Sequence, residues 1–68
     1  MLKINKSASR TIEILSLLAT SPKALTQLEI SQELGMPKSS TYELIYTLLD
    51  MGMVEFENKD LKTFRLGL

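Results

Sequence analysis

The groups in this chain best placed to do chemistry are Lys38, Ser39, Ser40, Tyr42, Glu43 and Tyr46, polar or aromatic residues crowded into one short stretch. If the stretch is a helix, its turn of about 100° per residue gathers Ser39, Glu43, Tyr46 and Asp50 on one side, with Tyr42 and Thr47 flanking them. The apolar residues Leu44, Ile45 and Leu48 fall on the other side, with Thr41 one turn earlier. Such a set donates and accepts hydrogen bonds but holds no nucleophile paired with a base, so its chemistry is recognition. Lys38, Ser39 and Ser40 would open the helix, where unpaired backbone N–H groups and the positive dipole end favour a phosphate; capping and solubility are the plainer uses. Tyr42 and Tyr46 would serve as packing residues in a core, whereas on an outer face they can donate to phosphate or lie against thymine methyl groups. Of the two, Tyr46 points more directly away from the apolar stripe. Glu43 is a poor phosphate contact, yet a carboxylate can accept from the N4 amino group of cytosine.

Four further residues extend this set. Thr26 and Gln27 would stand at the start of a preceding helix and could touch a nucleic-acid backbone, although Thr26 is fully explained as a helix cap. Lys59 and Lys62 lie in a turn near the C-terminus, where solvation competes with phosphate contact. The chain has no cysteine and no histidine, so disulfides, the usual zinc ligands and the commonest general base are all missing. Neither an enzyme nor a metal or cofactor site is expected.

The elements that would position these groups are legible from local signals. In TQLEISQELGMPKSSTYELIYTLL, residues 26–49, Thr26 and Glu29 have the spacing of a capping box, with Leu25 and Ile30 as its hydrophobic staple. Gly35 suits the left-handed position past a helix end, and Pro37 stops one helix while its fixed φ suits the start of another. The expected helices are about 27–34 and 38–50, joined by a tight turn: a helix-turn-helix whose second member presents its N-terminal half to a major groove.

Upstream, a first helix is expected over about 7–20, beginning near Ser7 or Ser9, with Ile12, Leu15, Leu18 and Ala19 on one side and Ile14 and Leu17 widening the stripe. Ile14 and Leu17 are then candidate dimer contacts, unless they cover the core. Gly52 closes the third helix, and Met53 to Phe56 and Thr63 to Leu66 read as two strands around a turn at Asn58, Lys59 and Asp60. Met36, Met51 and Met53 are expected to fill gaps beside the turns. The fold class is therefore mainly α with a small β-hairpin, a three-helix winged helix-turn-helix forming a single domain over residues 1–68, with its wing at about 53–66.

Sixty-eight residues make one small domain of marginal stability. No apolar run is long enough to span a bilayer and the start MLKINKSASR has no hydrophobic signal core, which leaves a cytoplasmic location as the expectation. The 8 basic and 8 acidic residues cancel, but Lys3, Lys6 and Arg10 cluster at the start, and Lys59, Lys62 and Arg65 face only Asp60 around the hairpin turn.

These residues together resemble a family, the N-terminal DNA-binding domains of IclR-type bacterial transcription regulators. The resemblance is carried by SASRTIEILSLLA in the first helix, LTQLEISQELGMPKSSTYELIYTL in the helix-turn-helix and MGMVEFENKDLKTFRLGL in the wing. It implies sequence-specific binding of double-stranded operator DNA, as part of a homodimer or higher oligomer of the full-length protein. It also implies that these 68 residues are a fragment, with the small-molecule effector bound by a C-terminal domain whose residues are absent. The chain departs from the family in the recognition helix, where a basic residue is common at the place of Glu43 and a small one at the place of Tyr46. Either the operator differs from the family norm or Glu43 turns away in an ion pair. The competing function, favoured by zero net charge and Glu43, is a winged helix used for protein contact without DNA.

Overall fold

In the computed structural model, which describes residues 3–67, three helices carry a small antiparallel sheet on one side. The elements are α1 (Lys6–Thr20), β1 (Leu25–Thr26), α2 (Gln27–Leu34), α3 (Lys38–Asp50), β2 (Val54–Asn58) and β3 (Thr63–Leu66). The mainly helical winged helix-turn-helix is thus present. Met1, Leu2 and Leu68, the outermost residues of the 1–68 domain, lie outside the described residues.

The helix starts follow their caps. Asn5, not Ser7 or Ser9, opens α1: its side-chain oxygen accepts from the Ala8 N–H at 3.0 Å. Thr26 and Glu29 form the complete capping box of α2, the Glu29 N–H donating to the Thr26 hydroxyl at 3.2 Å and the Thr26 N–H to Glu29 at 2.9 Å. Gly35 then takes φ 63°, and Met36 folds back with its N–H on the Ser31 carbonyl at 2.9 Å. Pro37 occupies the N-cap of α3 with extended backbone, so one helix ends and the next begins within three residues.

The sheet holds one strand more than the expected hairpin. Leu25 and Thr26 pair with β3 opposite Phe64 and Thr63, which makes β3 the central strand in the order β1-β3-β2. Two residues directly before a capping box carry no strand signal of their own; only the return of β3 converts them into an edge. β2 also runs further than expected, to Asn58, with the register slipping between Phe56 and Asn58 so that Glu57 is an extra residue.

The core is made of Ile14, Leu18, Leu25, Ile30, Met36, Ile45, Leu48, Val54 and Phe64. Thr41 is buried among them and satisfied, its hydroxyl donating to the Pro37 carbonyl at 2.9 Å. On α1 the buried positions are Ile14 and Leu18, while Ile12 is 61% exposed and Ala19 is exposed. The expected stripe was therefore rotated: α1 offers two apolar faces, and packing on β3 and α2 selects the one centred on Ile14. With 0% exposure, Ile14 is excluded as a dimer contact, and Leu17 packs against the core. Met36 fills the turn and Met53 is half-buried as expected, but Met51 is exposed.

Candidate nucleic-acid interface

The outward side of α3 begins at a helix end left open. Pro37 provides no side-chain cap, and Lys38 and Ser39 are exposed while Ser40 is half-buried. The backbone N–H groups of this first turn therefore have no capping side chain to compete with a ligand. Gln27 is tied to the same place, its side-chain amide donating to the Lys38 carbonyl at 3.2 Å across the turn. Gln27 thus bridges the starts of α2 and α3. Thr26 is committed to its capping box, so both residues act inside the domain whatever else they touch.

Further along α3 the two tyrosines divide. Tyr46 does not stand outward as its helical position suggested; it is half-buried and its ring meets Phe56 and Phe64 edge-on at 6.4 and 6.1 Å. Phe56 and Phe64 lie against each other at 5.0 Å on neighbouring strands. Tyr42 is the exposed ring, 51% accessible, and stacks tilted on Tyr46 at 4.5 Å. A row of aromatic rings thus runs from the sheet to the surface of α3, and Tyr46 holds Tyr42 in place. The wing was the missing information: the helical wheel placed Tyr46 opposite the stripe of α3, but the returning strands cover that flank.

Glu43 is exposed, and among the described residues it makes no ion pair. The two ion pairs among the described residues lie elsewhere. Lys23 meets Glu29 at 3.2 Å, and Arg65 meets Glu55 at 2.6 Å across the β2–β3 pair. Arg65 is therefore neutralised locally, which corrects the view of the whole hairpin region as basic. Glu57 is also engaged, accepting from the Thr63 hydroxyl at 2.8 Å. Among the described residues, Lys59 and Lys62 are the cations of the wing that make no ion pair, both exposed in the turn 59–62, with Asp60 between them. The Glu29 carboxyl is held below the usual carboxylate range, first by the Thr26 N–H and then by Lys23.

The outward side of α3 thus combines an open helix end with an exposed aromatic and an exposed acid, and the wing turn carries two exposed lysines. No group of His, Cys, Asp or Glu among the described residues is arranged to hold a metal ion, and no helix of the described residues is long and apolar enough to cross a membrane.

The family model of the IclR helix-turn-helix domain matches residues 7–58. The chain belongs to the IclR helix-turn-helix family. Solved structures agree on the fold of this IclR domain. The IclR transcriptional regulator of Alicyclobacillus acidocaldarius superposes with a TM-score of 0.89 at 22% identity, over 97% of this chain and 26% of that one. The repressor BlcR of Agobacterium tumefaciens superposes with a TM-score of 0.79 at 32% identity, over 91% of this chain and 24% of that one. The chain spans about a quarter of the length of these regulators. The fold is shared more widely: the Zα domain of Carassius auratus PKZ, solved with Z-DNA, superposes at 0.78 with 22% identity, over 91% of this chain and 98% of that one. No curated protein matches this chain.

The site residues read from the sequence are thus dispersed in role. Lys38, Ser39, Tyr42 and Glu43 are exposed on α3 with Ser40 half-buried among them, Lys59 and Lys62 stand on the wing, and Thr26, Gln27 and Tyr46 bond or pack within the domain. Sequence reasoning passed over Leu61, an exposed apolar residue in the wing turn, because a single leucine in a polar segment carries no periodic signal.

Proposed function

We propose that this domain binds double-stranded operator DNA in a bacterial transcription regulator, with α3 in the major groove and the wing on the backbone or minor groove. Membership of the IclR helix-turn-helix family carries the reading. The open N-terminus of α3 with Lys38 beside it supports it physically, since backbone N–H groups and a cation converge where a phosphate would lie. Ser39 and Ser40 add hydroxyl donors, Tyr42 offers its ring to a thymine methyl group, and Glu43 accepts from a cytosine amino group. Lys59 and Lys62 neutralise phosphates from the wing. Thr26 and Gln27 orient the helix ends, and Tyr46 braces Tyr42. In the full-length protein two domains act together as a homodimer or higher oligomer, and an effector acts through a further domain.

The test is a fluorescence anisotropy titration of the chain against labelled DNA from upstream of its own gene, at two salt concentrations. Binding that saturates, weakens with salt and falls about tenfold or more in Lys38→Glu is the expected result, because the variant replaces an attraction for phosphate by a repulsion. A left-handed G·C duplex serves as competitor and reports whether the helix form matters. Absence of duplex binding, even with two copies joined, would instead favour protein contact, the reading to which zero net charge and Glu43 otherwise point.

A further inference from the structure

We propose that Leu61 is an apolar minor-groove contact of the wing, pressed between base edges while Lys59 and Lys62 hold the two flanking phosphate strands. The inference rests on the DNA-binding reading above and assigns the wing its groove. Leu61 is 69% exposed, the most exposed large apolar side chain of the wing, and it lies outside the hydrophobic core. Its side chain also has no part in making the turn, to which Leu61 contributes only its backbone N–H. Asn58 makes the turn, its side-chain oxygen accepting from the N–H groups of Asp60 and Leu61 at 3.0 Å each, and Lys62 supplies the left-handed residue at φ 54°. The extra residue at Glu57 and its bond from Thr63 brace the base of the turn.

The tip is therefore held in one shape that keeps a leucine in water, where turn chemistry alone would favour Asn, Asp or Gly. Its neighbours Lys59 and Lys62 are exposed and make no ion pair among the described residues, and Asp60 offsets one of them. An exposed apolar side chain with exposed cations one and two positions away in the same turn matches a minor groove, which is too narrow for a helix but admits single side chains between two rows of phosphates. The contact of Tyr46 with Phe56 places β2, and with it the wing, beside α3.

The experiment compares binding of the chain to labelled A·T, I·C and non-alternating G·C duplexes across a salt series. Inosine shares the minor-groove edge of adenine in lacking the guanine amino group, while its major-groove edge follows guanine. The expected result is weaker binding to G·C than to I·C, two duplexes that share a major-groove edge and differ in the minor groove by the guanine amino group, with A·T reporting the major-groove contribution separately. Leu61→Ala should lose about fivefold in affinity together with that preference, at an unchanged slope of affinity against salt; Leu61→Met should retain both. Lys59→Ala and Lys62→Ala should each lower the slope by about one. Leu61→Ala binding all three duplexes like the parent, while Lys38→Glu still loses affinity, overturns the wedge and leaves DNA binding standing. The same unchanged binding with a shifted monomer–dimer equilibrium assigns Leu61 to protein contact instead. No binding to these duplexes or to the upstream DNA, even with two copies joined, overturns both readings.

Discussion

Single residues hold the turn that aims α3. Gly35 sits at φ 63° with open space around its Cα, so Gly35→Ala meets no clash and registers backbone strain alone. The expected cost is about 1 kcal/mol in a urea titration with an unchanged slope. Thr26→Ala removes one half of the capping box and should cost about 1 kcal/mol in the same assay. Glu29 gives that box a pH dependence. Its carboxyl is held low in the folded chain, so its stabilisation is present above the ordinary carboxylate range and is lost as pH falls through the lowered folded value. Glu29→Gln, which can still accept from Thr26, should flatten the acid side of a stability–pH profile; a profile matching the parent would remove Glu29 from the account. These residues were legible because their partners lie within a few positions. Tyr46 was not, since its partners Phe56 and Phe64 are ten and eighteen residues on.

Between elements, the sheet and helices depend on one another through Phe64. It is the buried residue of the central strand, opposite Leu25 on one side and Phe56 on the other. Phe64→Ala should cost about 3–5 kcal/mol, enough to unfold much of so small a domain. Gly67 makes a further join, its N–H donating to the Met53 carbonyl at 3.0 Å while an added Cβ would stand 3.0 Å from the Gly52 carbonyl oxygen. Gly67→Ala should lower the melting temperature by several degrees. The helices and the hairpin could be read from periodicity, caps and turn residues, whereas β1 and the buried face of α1 could not. Both are decided by β3 arriving from the far end of the chain, and α1 is apolar enough to accept either rotation.

For the molecule as a whole, the balance of charge shapes how it meets DNA. With 8 cations and 8 anions, and Lys23 and Arg65 already paired, the cations on α3 and the wing turn come down to Lys38, Lys59 and Lys62. One copy should therefore bind weakly and with a shallow salt slope, while two copies joined by a linker long enough to span adjacent sites should bind about a hundredfold or more tighter, as the second contact becomes intramolecular. Equal affinity for the single and joined forms in anisotropy would refute that arithmetic. The overall class was readable from length, the absent His and Cys, and the turn chemistry; the interface was readable only as a set of residue types. Which ring faces out and which cation is spent depended on the fold.

The central position of β3 carries a consequence for synthesis. Residues 63–66 close the sheet on both of its neighbours, yet they leave the ribosome after all three helices. Until then Leu25, Ile14 and Val54 lack the strand that covers them, and the α2–α3 pair has no closed sheet beside it. A ribosome stalled before residue 63 should display a chain that proteases cut freely, and protection should appear in one step once β3 has cleared the exit tunnel.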